Sequence, residues 1–158
     1  MALRNIRIIG DEILTKKCRT VEEMTPKVQE LIDDMYETMY DKMGVGLAAS
    51  QVGILKRIVV IDVDGNPYTL INPVILESKG EQTGDEGCLS LPGRAGQVTR
   101  PDHVKVLALD ENMEEFTLEG SELLARAICH EVDHLDGKLY TSLVEGELHD
   151  TTAEEEWE

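Results

Sequence analysis

Basic residues are scarce in this chain: 15 Lys and Arg stand against 32 Asp and Glu, a net charge of −17 over 158 residues. That balance excludes nucleic-acid binding through a broad basic face, because like charge repels the phosphate backbone. The acidity is spread along the chain, although residues 145–158 alone carry seven acids and no Lys or Arg. It reads first as a solvated surface, with adaptation to salty surroundings as the weaker alternative. Aromatic residues are also few, at 4% of the chain, so the core must be built from Val, Leu, Ile, Ala and Met. No apolar run is long enough to cross a bilayer, and the start, Arg4-Asn5-Ile6-Arg7, is not that of a signal peptide. Cysteine is limited to Cys18, Cys88 and Cys129, an odd number at irregular spacing. That argues against a disulfide framework and for a reducing, cytoplasmic setting. Neither an internal repeat nor a Ser-, Gly- or Pro-rich linker divides the chain. The length suits one compact domain over residues 1–148, followed by an acidic tail at 149–158.

What is present reads as two helices separated by strands. Val28, Leu31, Ile32, Met35 and Met39 recur at three- and four-residue steps and predict a helix over residues 26–42. Thr25 is placed to cap it, Pro26 suits its first position and Gly44 its stop. Met35, Met39 and Met43 all fit its packing. The small residues of 44–51, Gly-Val-Gly-Leu-Ala-Ala-Ser-Gln, suggest backbone passing close to another group. Strands are expected at 57–63 and 68–72, joined by a turn at 64–67, with 74–77 as a continuation. A further pair is expected at 103–110 and 114–118. A second helix spans 121–136, between Gly120 and Gly137, with Ser121 as its cap. Without βα alternation, the fold class is α+β: short, mostly antiparallel strands around a central helix, with a second amphipathic helix near the N-terminus.

That central helix carries His130-Glu131-Val132-Asp133-His134. Residues four apart share a helical face, so both imidazoles can converge on one metal ion. Glu131, one step round, can reach water at the site without taking a ligand position. Leu123 and Ala127 continue the His130/His134 stripe and place an apolar wall beside it. A catalytic site needs a third protein ligand. Cys129 is turned about 100° from His130 and suits the core, while Cys18 lies in a polar segment. Cys88, where Gly84 and Gly87 permit an exposed, tightly turned backbone, is the favoured third ligand, an assignment that spacing does not settle. Asp133 and Arg100 are candidates for an ion pair beneath the site.

Three segments, 44–51, Glu86-Gly87-Cys88-Leu89-Ser90, and His130-Glu131-x-x-His134, stand in the order of the peptide deformylase motifs. With Pro92, Val98-Thr99-Arg100-Pro101 and Leu135-Asp136-Gly137, the chain resembles that family from near its N-terminus to about Tyr140. The resemblance implies a metal-dependent hydrolase that removes formyl from the N-terminal formylmethionine of nascent polypeptides. It implies Cys88, His130 and His134 as metal ligands and Glu131 as general acid/base. Gln51 and the Leu89 N–H would stabilise the oxyanion, and Gly46 would contact the substrate main chain. Val45, Leu123 and Ala127 would line the methionine pocket. The implied cofactor is one divalent ion, Fe²⁺ physiologically, with Zn²⁺, Ni²⁺ or Co²⁺ able to replace it. Some family members dock at the ribosome through a basic C-terminal helix; the acidic end here opposes that. The rival readings are a small metallopeptidase, which would not require residues 44–51 and 86–90, and a metal-stabilised binding domain, which would usually close its site with four ligands.

Overall fold

The computed structural model describes residues 2–151. Helix α1 spans Pro26–Asp41, and the Thr25 hydroxyl accepts the Val28 N–H as its cap. Its left-handed exit is Met43 (φ 60°) rather than Gly44, and Met43 is exposed instead of packed. Gly44 donates its N–H to the Met39 carbonyl, and a side chain there would collide with Leu89. The glycine is therefore kept for close approach, not for the turn.

Eight strands follow: β1 (Gly46–Ala48), β2 (Ile58–Val63), β3 (Asn66–Lys79), β4 (Gln82–Cys88), β5 (Leu91–Arg100), β6 (His103–Leu109), β7 (Glu115–Ser121) and, after helix α2 (Glu122–Leu135), β8 (Glu145–Asp150). β1, β2, β3, β6 and β7 form a five-stranded sheet in that order, and β4, β5 and β8 a three-stranded one, with every pairing antiparallel. β2 turns into β3 through Asp64 (φ 57°) and Gly65 (φ 78°) alone, the two positive angles that a tight hairpin requires. The strand expected at 68–72, with 74–77 as its continuation, is one element that runs through Pro73. Its ladder shifts register between Ile71 and Val74, and Asn72 (φ 53°) bulges out to clamp the Val21 backbone N–H and carbonyl at 2.9 and 2.8 Å.

Strand β2 is buried on both faces, which explains its apolar run Ile58-Val59-Val60-Ile61. Val59, Ile61 and Val63 pack with Ala125, Ala127, Ile128 and Leu135 of α2, whereas Ile58 and Val60 pack with Val28, Leu31, Ile32, Met35 and Met39 of α1. Cys18 and Cys129 both lie in the α2-side core, Cys18 contrary to the polar character of its neighbours. The Ser121 hydroxyl does not cap α2; it meets His103 Nδ1 at 2.9 Å instead. β4 and β5 form a hairpin where the sequence suggested an exposed turned loop. Gly84 and Gly87 lie within β4, and the chain reverses at residues 89–90. Few β-branched residues mark that hairpin, so alternation gave no signal there. β8 continues to Asp150, two residues past the expected end of the domain, by pairing with β5; residues 152–158 of the expected tail lie outside the described residues. Among the described residues, no helix is long and apolar enough to cross a membrane.

Candidate metal centre

α2 projects Arg126, His130 and His134 at four-residue intervals, all buried, toward the end of β4. There the two Nε2 atoms approach to 3.2 Å, and His134 Nε2 lies 3.3 Å from Cys88 Sγ. One donor atom from each of Cys88, His130 and His134 falls within 4.8 Å of the others. The third ligand anticipated at Cys88 is thus brought to the histidines, not from an exposed turn but from a strand end with 7% exposure.

The surroundings fix the direction of the His130 and Cys88 donors, whereas His134 Nδ1 has no hydrogen-bond partner among the described residues. His130 Nδ1 meets Glu86 Oε2 at 2.6 Å. Glu86 also accepts Arg100 Nη2 at 2.7 Å and Nε at 3.1 Å, and Arg126 Nη1 at 2.9 Å. Burial opposes ionisation of Glu86, but His130 and Arg100 overcome it and hold the carboxyl well below the usual carboxylate range. An ionised Glu86 makes Nδ1 the protonated nitrogen and leaves the Nε2 lone pair for the cluster. Arg100 reaches on to Asp133 at 2.7 Å, the ion pair suggested by the sequence. The Ala48 N–H occupies Gln51 Oε1 at 2.9 Å, so the amide nitrogen of Gln51 faces Ser90 Oγ (3.0 Å) and Cys88 Sγ (3.5 Å). The Ser90 N–H adds a contact to that sulfur at 3.4 Å.

Glu131 is 1% exposed, and its Oε1 has no hydrogen-bond partner among the described residues. Burial pushes its carboxyl up to about 7. A Cβ on Gly46 would stand 2.6 Å from Glu131 Oε2, so the missing side chain is what admits the carboxylate. Val45 and Leu123 pack against the same apolar cluster as the fully buried Ala127, and Leu89 packs on the α1 side.

A metal ion fits this donor set. Three buried N and S donors converge on one point beside an orphaned carboxylate oxygen. Burial draws His134 well below its ordinary value, while His130, against its burial, is held well above its own by Cys88 and Glu131, a demand for positive charge that a cation would meet. The sequence reading missed Glu86, Arg126 and Ser90 as supporting groups. Arg126 was findable, since it precedes His130 by four on the ligand stripe; nothing along the chain announces that Glu86 faces it from β4.

An α+β fold with this centre on a His-Glu-x-x-His helix defines the class as a metal-dependent hydrolase. The polypeptide deformylase family model matches residues 3–148, and the chain belongs to that family. It is 66% identical over 155 residues to the peptide deformylase of Agathobacter rectalis, covering 98% of each chain, and 63% identical over 161 residues to that of Lachnoclostridium phytofermentans, covering 100% of this chain and 99% of the other. The crystal structure of a peptide deformylase from Legionella pneumophila superimposes with a TM-score of 0.88 at 42% identity, over 90% of this chain and 86% of that one. A peptide deformylase from Synechococcus elongatus, solved in complex with actinonin, gives 0.88 at 40% identity, over 90% and 79%. The activity is hydrolytic removal of the formyl group from N-terminal methionine, and it depends on a metal.

Proposed function

We propose that Cys88, His130 and His134 hold a single divalent cation, Fe²⁺ in the cell, and that Glu131 is the proton carrier of deformylation. The observation that carries this reading is the convergence of Cys88 Sγ with both Nε2 atoms next to a buried carboxylate with an unpartnered oxygen. A thiolate beside two imidazoles is a soft donor set compatible with iron, Zn²⁺, Ni²⁺ and Co²⁺. When bound, the cation supplies Lewis acidity and makes water acidic enough to yield hydroxide near neutral pH.

The remaining work falls to the chain. Glu131 accepts the proton of the attacking water on its carboxylate and returns it to the departing amine nitrogen. Gln51 Nε2 and the Leu89 N–H donate to the oxygen on which negative charge develops; losing one such donor typically costs about 2.7–4 kcal/mol. The Gly46 backbone aligns the peptide, and the methionine side chain lies against Val45, Leu123 and Ala127. Formyl is small enough to approach the centre, while bulkier acyl groups are excluded by the same walls. Downstream residues have a cleft of about 560 Å³ beside Leu89, lined also by Ile6, Lys42 and Pro92. Residues 1–148 act as one catalytic domain. The free thiols of Cys18, Cys88 and Cys129 suit a reducing cytoplasm. The seven acids of residues 145–158 would be repelled by ribosomal RNA.

Anaerobic purification, with metal content and formate release from formyl-Met-Ala-Ser measured on the same sample, tests the reading. One equivalent of iron tracking activity is expected. Cleavage of an unblocked peptide at a comparable rate, or full activity in a metal-free sample, would overturn it.

A further inference from the structure

Away from the metal centre, a shallow groove of about 540 Å³ runs between α1, β3 and the turn joining β6 to β7, lined by Tyr36, Tyr40, Tyr68, Phe116, Asp110 and Glu111, among others. The chain has only six aromatic residues, and four of them meet here. We infer that this groove binds the Lys or Arg side chain of a basic peptide segment.

The groove's polar chemistry is of one sign. Glu111 is held in place by Gln29 Nε2 at 2.6 Å and the Thr69 hydroxyl at 2.9 Å, and Thr69 in turn accepts from Tyr36 at 2.8 Å. Tyr40 donates to Asp62 at 2.6 Å. Both phenol groups are thereby committed to neighbours, which leaves ring surface for a ligand. The Tyr36 and Tyr40 rings lie 6.1 Å apart at 26°. Among the described residues, none of Asp62, Asp110 and Glu111 forms an ion pair. An anionic ligand would meet the Asp110 and Glu111 carboxylates, with Asp62 behind Tyr40, and no counter-charge among the described residues. A purely apolar one would strip water from the two that line the groove with nothing in return. A cation over aromatic rings satisfies both demands. The groove is open along its length, so a small free cation would remain half solvated, whereas a side chain delivered on an extended backbone can lie along it. The net charge of −17 steers a basic partner toward the surface.

The groove shares no residue with the metal centre, so this inference stands or falls separately from the deformylase reading. The test is a titration of the intact, metal-loaded protein with acetylated, amidated tetralysine and tetraarginine, followed by calorimetry and by tyrosine ring resonances. Tetraglutamate and spermidine serve as comparators. We expect saturable binding of the cationic peptides that weakens with salt, shifts confined to Tyr36, Tyr40 and Tyr68, and a loss of roughly fivefold or more in Glu111→Gln and in Tyr40→Leu. Deformylation by both variants should equal that of the parent. Tyr40 is half exposed, so its variant keeps the fold even if Glu111→Gln does not. The inference is overturned if no cationic peptide binds, if binding survives Tyr40→Leu undiminished, if tetraglutamate competes equally, or if spermidine binds as tightly as the peptides.

Discussion

Helices α1 and α2 are built alike and used differently. Both are amphipathic, of 16 and 14 residues, and both pack on the same five-stranded sheet, from opposite faces. α1 buries mainly Val, Leu, Ile and Met, groups that need only matching shape. α2 buries Arg126, His130, Glu131 and His134 among its apolar residues, groups that need counter-charges and donors. Glu86 and Cys88, the partners of Arg126, His130 and His134, come from the second sheet, 40 to 46 residues away in sequence. A stripe of one kind holds the fold together, and a stripe of the other is held in place by it. Substitutions in α1 should therefore show up in stability, and those in α2 in chemistry.

The largest separation is expected from Glu131→Gln. The side chain keeps its size and stays buried, but it can no longer carry a proton. Formate release should fall by about 10²–10⁴, with metal content and melting temperature close to those of the parent. A variant that retains metal and deformylates normally would remove Glu131 from the mechanism.

Glu86→Gln strikes the frame rather than the reacting groups. Two guanidinium groups and the His130 ring depend on that one carboxylate. Breaking a buried pair in this way costs about 3–5 kcal/mol, and losing the partner of a ligating histidine typically weakens metal binding about 10–100-fold. Denaturant unfolding and competition with a chelator measure the two effects separately. The counterpart on α1 is Met35→Ala. Met35 is wholly buried, and its truncation should cost about 2–5 kcal/mol while leaving turnover per folded molecule unchanged. If Met35→Ala lowered turnover as Glu86→Gln does, the division of labour between the helices would fail.

The same division explains what could be read from the chain. α1 was legible to within a residue because a 3.6-residue apolar period and a Thr-Pro start are local signals. β2, β3, β6 and β7 were legible because they alternate or run apolar between turn residues. The β4–β5 hairpin was not: Gln82-Thr83-Gly84-Asp85-Glu86-Gly87-Cys88 has neither pattern, since its side chains serve α2 and β5 rather than a continuous apolar face. At the centre, His130, Glu131 and His134 are read from helical spacing, and Cys88 from motif resemblance. Glu86, with its four donors, emerges only when two sheets and a helix are assembled. Gly44, expected as the stop of α1 because glycine usually fills that position, follows the left-handed Met43 and is kept for its tight contact with Leu89.

The smallest effect, and the sharpest control on the contrast, lies in α1's own buried acid. Asp34 is 2% exposed and accepts the Ala2 N–H at 2.6 Å and Arg4 Nε at 2.9 Å. Burial alone would raise its pKa; the hydrogen bonds from Ala2 and Arg4 prevail and hold it below its ordinary value. A carboxyl whose folded pKa is depressed contributes stability that is fully present above the unfolded value, about 3.9. The contribution shrinks as pH falls further and is gone below the folded value. Asp34→Asn should accordingly unfold at a lower urea concentration than the parent at pH 7, and the gap should close as the pH is taken below about 4. A gap of constant size down to pH 3 would mean that Asp34 acts through shape, like the methionines beside it. A gap that closes makes it the one place where α1 uses the device on which α2 depends, a buried charge satisfied from a distant segment, here spent on anchoring the N-terminus.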